Sequence, residues 1–318
     1  MKSMARLLAV DQLSPLSSLG FLSLVALMSA ASYAQDSGSE RPQFRVSVKM
    51  VSLSVTVLDK ERRLVTDLEA ENFNVYEDGA LQEVKVFSRE ALPLRMVILL
   101  DTSSSIKKRL SLAQEAAIRF VDSLQLGDQV KIVEFNSRVY SLTDFTPDFR
   151  EAEEAIRSTK AEGATSLYEA LYISLRSFSR YRDGDERLAI VVLSDGNDTR
   201  SLVTFDDVRD LARRTDVLVY TISLRGQEED LVKQKYADAK FELERLSRET
   251  GGSSHAPAKI KDLAGVYERI AAELKSQYNI GYVSTNAKTD GTWRRLQLLC
   301  NQEGTEVRSR VGYYAPRM

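Results

Sequence analysis

The hydrophobic pattern changes twice along the chain, and each change marks a different kind of structure. Before residue 92 apolar and polar positions alternate, as in Val51–Val57, and this period of two predicts half-buried β-strands. From residue 94 onward short apolar runs such as Met96–Leu100 and Leu188–Leu193 alternate with stretches of helical spacing. Uninterrupted apolar runs are typical of strands buried on both faces of a parallel sheet. After Gln277 the period of two returns.

The order of these elements predicts the fold class. Alternating strands and helices in the middle of the chain predict an α/β fold with a doubly wound, mostly parallel sheet. Each β-rich flank is too short to bury a core by itself, so we expect the two flanks to form one small β-sandwich into which the α/β domain is inserted. The expected boundaries are a linker at 35–43, the N-terminal sandwich segment at 44–91, the α/β domain at 92–277 and the C-terminal sandwich segment at 278–318.

Local signals in the flanks predict how their strands connect. Asp78-Gly79 is a typical two-residue hairpin turn, and it predicts that a strand at Phe73–Val75 pairs with one at Val84–Val86. In the tail, alternation from Val307 to Val311 predicts one continuous strand.

The first residues predict export rather than fold. Lys2 and Arg6 precede an apolar run at Leu19–Ala31, and small residues in Ser32–Ala34 suit a cleavage site. This pattern predicts a secretory signal peptide at 1–34 and a periplasmic or secreted protein. The apolar run of 13 residues is short of the ~20 that a membrane-spanning helix needs, so we expect no transmembrane helix in the mature chain. An uncleaved anchor is the alternative.

Composition excludes several classes of function. With 44 Lys+Arg against 46 Asp+Glu, the net charge is −2, and we expect no nucleic-acid partner. A single cysteine and a single histidine exclude an intrachain disulfide, a cysteine-based zinc site and a histidine-rich metal site. Cys300 is in phase with Leu296 and Leu298, which predicts a buried structural thiol. His255 is expected in a loop or an edge strand.

Oxygen-bearing side chains follow the predicted buried strands. Asp101–Ser105 forms a D-x-S-x-S pattern directly after one strand, Ser194–Gly196 follows another, and Gly163–Thr165 precedes a helix. Ligands in open α/β sheets bind at the carboxyl ends of the strands, so these segments are expected to meet. The predicted metal ligands are Asp101, Ser103, Ser105, Thr165 and Asp195. This set suits Mg²⁺, with Mn²⁺ or Ca²⁺ as alternatives, because hard cations prefer oxygen ligands. For any single motif, helix capping by Asp or Ser is the competing interpretation.

Charged residues beside these motifs have simpler expected roles. Asp198 is predicted to be a solvated turn residue. Lys107, Lys108 and Arg109 are predicted to form a solvated helix face that could also receive an acidic partner near the metal.

Three segments together resemble a known family. MVILLDTSSSI (96–106), EGATSLYEAL (162–171) and VVLSDGND (191–198) are similar to the metal-ion-dependent adhesion site of von Willebrand factor type A domains. Ser104 replaces the usual glycine, at a position that is not a ligand. The core resemblance covers about 92–258. The flanks further resemble secreted acidobacterial-type proteins related to this family, which extends coverage to about 44–316. The resemblance implies a Rossmann-like α/β fold with a divalent cation at the five ligand positions.

The function predicted from these features is binding rather than catalysis. We expect a secreted or periplasmic module for protein–protein interaction or adhesion, whose partner supplies an Asp or Glu carboxylate to the metal. One alternative is a metal-dependent hydrolase or phosphotransferase, since an Asp beside Mg²⁺ can be a nucleophile. Another is a structural envelope protein with a stabilising metal. Binding is favoured because no second acid stands two positions after Asp101, and neither a lysine nor a histidine is placed to act as a base.

Overall fold

The computed structural model describes residues 50–181, 186–194, 198–224, 234–259 and 262–317. The described residues fall within one compact unit. The signal peptide predicted at 1–34, the linker predicted at 35–43 and the predicted ligand Asp195 lie outside the described residues.

Strands and helices are numbered in chain order. The first flank contains β1 (Met50–Leu58), β2 (Phe73–Glu77), β3 (Ala80–Gln82) and β4 (Val84–Ser88). The middle of the chain contains β5 (Leu94–Asp101), α1 (Leu110–Asp122), β6 (Gln129–Phe135), β7 (Val139–Ser141), α2 (Phe149–Ser158), α3 (Leu167–Ser177), β8 (Arg187–Ser194), α4 (Phe205–Ala212), β9 (Leu218–Ser223), α5 (Gln234–Thr250), β10 (Ser254–His255) and α6 (Leu263–Ser276). The last flank contains β11 (Tyr278–Val283), β12 (Trp293–Cys300), β13 (Glu306–Arg308) and β14 (Gly312–Tyr314). Short 3-10 helices lie at Ala70–Asn72, Ser104–Ile106 and Phe178–Arg180.

A six-stranded sheet forms the centre of the molecule, in the order β10-β9-β8-β5-β6-β7. All neighbouring strands are parallel except β6 and β7. Every residue of β5 is buried, as its apolar run predicts, because helices cover both faces. Helices α1, α2 and α6 pack on one face, and α3, α4 and α5 pack on the other. The predicted doubly wound, mostly parallel sheet is therefore confirmed. No helix in the described ranges has the length and apolar character needed to cross a membrane.

Both flanks contribute strands to two four-stranded antiparallel sheets, in the orders β13-β1-β11-β4 and β14-β12-β2-β3. Their inward faces share one core that includes Val55, Val75 and Ile280, all fully buried. Residues alternate in and out along β2 and along the first six residues of β1, which is why the sequence shows a period of two there. The predicted β-sandwich built from both flanks around the α/β domain is confirmed. The domain boundaries remain predictions.

Two predicted strand connections are wrong. Asp78-Gly79 makes the expected turn with positive φ at both residues, but the returning strand is β3, and β4 crosses to pair with β11 in the other sheet. Buried Gln82 anchors this crossing, since its side-chain amide bonds both the backbone N–H and the hydroxyl of Thr285. The tail is also split into β13 and β14, which belong to different sheets, and between them the Val311 N–H donates to the Glu249 carbonyl of α5.

The lone cysteine and the lone histidine lie at the periphery of their sheets. Cys300 is only half-buried, which corrects the prediction of a buried thiol, because it is the last residue of β12. Its sulfur accepts a hydrogen bond from the Gln302 N–H. His255 lies in β10, which is an edge strand of the central sheet, as expected.

A buried polar network joins the sandwich to the α/β domain. The Glu273 carboxylate on α6 accepts hydrogen bonds from the Arg308 guanidinium of β13 at 2.7 Å and the Tyr220 hydroxyl of β9 at 3.0 Å. The hydroxyl of Thr56 in β1 donates to the same carboxylate at 3.3 Å. One buried acid on the last helix therefore contacts two strands of the sandwich and one strand of the central sheet.

Candidate metal site at the carboxyl edge of the sheet

The topology places the candidate site at a switch point of the sheet. From β5 the chain passes to β6 on one side, and it later returns to β8 on the other side. The helices that follow neighbouring strands at such a point diverge to opposite faces and leave a crevice at the carboxyl ends. Asp101 is the last residue of β5, and Ser194 is the last residue of β8. The two side chains therefore meet at the same edge.

Asp101 is 2% exposed, and its carboxylate is held from two directions. Oδ1 accepts the Ser103 backbone N–H at 2.9 Å, and Oδ2 accepts the Ser194 hydroxyl at 2.6 Å. One bond comes from the loop after β5 and the other from the neighbouring strand. These two hydrogen bonds define the orientation of the carboxylate at the crevice.

The two predicted serine ligands lie beside each other. The hydroxyl oxygens of Ser103 and Ser105 are 2.9 Å apart and share a hydrogen bond. Ser104, between them, is exposed, so its side chain fits where the family pattern has glycine. Helix capping is the wrong interpretation of this motif, because neither α1 nor the 3-10 helix at Ser104–Ile106 has a side-chain cap at its N-terminus.

Buried Thr165 is held in place by the loop that follows β8. Its N–H donates to the Thr199 hydroxyl at 3.0 Å, and its carbonyl accepts the Thr199 N–H at 2.9 Å. Gly163 allows the close approach just before it. Its φ is +74°, and a Cβ there would lie 2.5 Å from the Ser137 hydroxyl oxygen. That hydroxyl accepts the Ala164 N–H at 2.9 Å, so the threonine loop is fastened on both sides.

Backbone hydrogen bonds join the loop that carries Thr165 to the loop that carries Ser103 and Ser105. The Ser104 N–H donates to the Gly163 carbonyl at 3.1 Å, and the Glu162 N–H donates to the Thr102 carbonyl at 2.7 Å. Thr102, fully buried, also donates its own N–H to the Phe135 carbonyl at the end of β6. The loop after β5, the loop between α2 and α3 and the end of β6 are thus joined into one cluster.

Asp198 has a different role from the predicted solvated turn. Its carboxylate accepts the Tyr168 N–H in the first turn of α3 and the hydroxyl of Ser201. The Ser201 hydroxyl in turn accepts the Glu169 N–H at 3.0 Å. The loop after β8 therefore caps α3, because the first N–H groups of a helix have no partner within it.

One acidic residue near this edge titrates abnormally. Burial, and then the charge of Glu162, raise the pKa of the half-buried Glu134 carboxyl above its ordinary value. Both effects disfavour the charged form.

The structure brings most of the predicted ligands together. Asp101, Ser103 and Ser105 are joined directly, and Thr165 is joined to them through backbone bonds, whereas Asp195 lies outside the described residues. Within the described ranges no three His, Cys, Asp or Glu side chains lie close enough together to hold a metal ion. A cation here would therefore need hydroxyl oxygens as well as carboxylate, and these donors fit a hard cation.

Sequence reasoning missed the supporting residues. Ser194 and Ser137 follow buried strands closely, which is the signal that revealed Asp101, so they could have been found. Thr199 acts through backbone bonds to Thr165, and nothing in its sequence context indicates that role.

The fold and the site together define the class of protein. It contains a doubly wound α/β domain with oxygen-bearing side chains clustered at the carboxyl edge of its sheet. The family model of the von Willebrand factor type A domain matches residues 96–197, so the chain carries a von Willebrand factor type A domain. This domain supports a role in protein interaction.

Known proteins provide three comparisons. The UPF0353 protein of Mycolicibacterium paratuberculosis is 25% identical over 224 residues, which is 64% of this chain and 66% of that protein. The chain thus spans just under two thirds of that relative's length. A von Willebrand factor type A structure from Catenulispora acidiphila aligns at 13% identity with a TM-score of 0.48, covering 86% of this chain and 76% of that chain. Proximal thread matrix protein 1 from the mussel byssus has zinc in its MIDAS (metal-ion-dependent adhesion site) motif. It aligns at 17% identity with a TM-score of 0.45, covering 57% of this chain and 48% of that chain.

Proposed function

We propose that this protein is a binding module, acting outside the cytoplasm, that captures or adheres to a protein partner through a bound divalent cation. The observation that supports this function best is the cluster at the carboxyl edge. There a buried carboxylate and two adjoining hydroxyls lie where three loops are hydrogen-bonded together.

The proposed ligands are the oxygens of Asp101, Ser103, Ser105, Thr165 and Asp195, and the proposed cation is Mg²⁺, with Mn²⁺ or Ca²⁺ able to replace it. Only two of these ligands are charged. When bound, the cation supplies a Lewis-acidic centre that accepts a carboxylate oxygen from an Asp or Glu of the partner. The chain's own residues provide the orientation. Ser194 holds the Asp101 carboxylate and Thr199 holds the Thr165 loop, so few donors must reorganise on binding.

Hydrolysis or phosphoryl transfer is less well supported. His255 lies in β10, three strands away from β5, which is roughly 14 Å at the usual strand spacing. It also bonds Ser253, so it is badly placed as a base for Asp101.

Export is proposed from the sequence pattern at 1–34. Fractionation of cells followed by N-terminal sequencing tests it, and a mature chain beginning near Gln35 in an extracytoplasmic fraction is expected. Soluble cytoplasmic protein that retains Met1 would refute it.

Metal binding is tested by calorimetric titration of the purified chain with Mg²⁺. Wild type should bind, and Asp101→Asn should not, because the isosteric amide removes the buried charge. Asp144→Asn is the matched control, since the Asp144 side chain is 99% exposed and lies in the loop between β7 and α2. It should bind Mg²⁺ normally, and circular dichroism should show both variants folded.

The two alternatives give different results in the same preparations. Partner capture from an envelope extract should disappear with chelator and with Asp101→Asn. If the chain binds Mg²⁺ in the titration but partner capture persists in chelator, the metal is purely structural. Metal-dependent turnover of a phosphate ester that Asp101→Asn abolishes would indicate an enzyme.

A further inference from the structure

Four cationic residues lie in the loops that build the candidate metal site. Lys107 and Lys108 lie in the turn before α1, Arg138 lies in the turn between β6 and β7, and Arg200 lies in the loop after β8. All four are exposed. Across the described ranges, none of them pairs with an acid. By contrast, the exposed arginines of α1 and α2 are paired with acids: Arg119 with Glu115, Arg150 with Asp148, and Arg157 with Glu153.

Each cation belongs to a loop that positions a proposed ligand. Lys107 follows Ser105 by two residues, and its N–H donates to the Ser104 carbonyl. Arg138 adjoins Ser137, which holds the Ala164 N–H next to Thr165. Arg200 follows Thr199, which bonds Thr165 in both directions. The positive charges are therefore attached to the same backbone cluster as the ligands.

Few acids in the described parts of these loops offset this charge. Glu162 is exposed, while Asp198 is engaged in capping α3. A ligand with several negative charges would thus gain from four cations and meet one exposed acid of the described loops.

An exposed leucine lies in the same loop as Arg200. Leu202 is 94% exposed, two residues after Arg200. Its backbone is fixed on both sides, because Ser201 bonds Asp198 and Thr204 forms a capping box with Asp207 at the start of α4. Leu202 thus presents its side chain from a fixed loop, where an apolar side chain of a partner can pack against it.

We infer that the partner is an acidic protein segment with several Asp or Glu residues next to an aliphatic or aromatic side chain. This inference rests on the proposed function and specifies its partner class. One carboxylate goes to the proposed metal position, further carboxylates lie against Lys107, Lys108, Arg138 and Arg200, and the apolar side chain packs on Leu202. A polymer of acidic sugars would satisfy the cations but leave Leu202 exposed, so a polypeptide fits better. Complementary charge also accelerates association at low salt.

A display library of random peptides, selected on the immobilised full-length chain in Mg²⁺, tests the partner class. The expected result is enrichment of peptides that combine several acidic residues with an aliphatic or aromatic one. Enrichment of neutral or basic peptides would overturn the inference. Polyuronate should compete weakly with a selected peptide, and complete displacement by polyuronate at equal charge would favour an acidic sugar polymer instead.

A charge-removal variant tests the surface itself. Replacing Lys107, Lys108, Arg138 and Arg200 by Ala should lower the association rate of a selected peptide by about ten-fold or more at low salt, and less at high salt. The matched control replaces Lys60, Arg248, Lys288 and Arg295 by Ala. These four exposed cations lie outside the site loops, so the net charge changes equally. Equal effects of the two variants would show that the four cations do not form a binding surface.

Leu202→Ser should raise the dissociation rate of a selected peptide without changing the salt dependence. An unchanged dissociation rate would show that Leu202 does not contact the peptide.

The two proposals can fail separately. If Asp101→Asn and chelator abolish peptide binding but the selected peptides carry no excess of acid, the metal-dependent function stands and the acidic partner is wrong. If acidic peptides bind equally well in chelator and to Asp101→Asn, the metal-dependent function is wrong while the cationic surface remains.

Discussion

At the scale of single residues, two glycines near α5 and α6 have opposite reasons for being there. A Cβ at Gly252 would lie 2.2 Å from the Val219 carbonyl oxygen, whereas one at Gly265 would meet nothing closer than 3.7 Å. Gly252→Ala should lower the free energy of unfolding by about 2 kcal/mol or more, because backbone must move. Gly265→Ala should raise it by about 0.5–1 kcal/mol, since alanine favours the helix. Urea denaturation measures both, and a neutral Gly252→Ala would contradict the packing described.

The lone histidine makes stability depend on pH. Burial, followed by the charges of Arg269, Arg308 and Arg62, lowers the pKa of His255 from 6.5 to about 4. Between these values the unfolded chain binds a proton that the folded chain does not, so stability falls as pH decreases from 6.5 to about 4. The loss amounts to roughly 3 kcal/mol at most. His255→Gln should reduce the difference in unfolding free energy between about pH 7 and about pH 4.5. An unchanged difference would contradict the lowered pKa.

At the scale of elements, the loop after β8 both caps α3 and positions a proposed ligand. Asp198→Ala removes the cap at the Tyr168 N–H and should cost about 1 kcal/mol. Because Thr199 bonds Thr165 from the same loop, Mg²⁺ affinity should also fall several-fold. Thr204→Ala is the matched control, since Thr204 caps α4 through the Asp207 N–H. It should cost similar stability and leave Mg²⁺ binding unchanged. Equal metal affinities in the two variants would exclude the positioning role.

At the scale of the whole molecule, one ion pair links the last helix to the sandwich. The side chains of Arg308 and Glu273 are 15% and 7% exposed. Arg308→Met should cost about 3–5 kcal/mol, because it leaves a buried carboxylate without its cation. Adding Glu273→Gln should recover a large part of that loss. Arg62→Met is the control, since its pair with Glu306 is exposed and worth about 0–1 kcal/mol. Chemical denaturation measures all of these.

The same link bears on how the molecule unfolds. Since Glu273 contacts β1, β9 and β13 at once, wild type should unfold in a single transition detected equally in the sandwich and the α/β domain. Two separate transitions in wild type would show that the network does not couple the two regions.

The candidate site was predictable as far as the proposed ligands share one local signal. Asp101, Ser103, Ser105 and Thr165 are polar residues beside apolar runs, and that contrast is visible in the sequence. Thr199 and Asp198 could not be assigned in the same way, because they act on backbone groups of a segment about thirty residues or more earlier in the chain. Contacts of that kind depend on which loops the fold brings together.

By itself the sequence determined the fold class, the kind of each element and the edge at which the polar residues gather, since hydrophobic periodicity is written in neighbouring residues. Only the tertiary structure decided which sheet received β3 or β4, and why the tail splits into β13 and β14. Strand pairing in the flanks depends on groups far away in the sequence. Gln82 bonds Thr285, and Val311 bonds Glu249. The tertiary structure likewise decided that Glu273 and Arg308 are buried together, because burial of a charge depends on finding its partner across the fold.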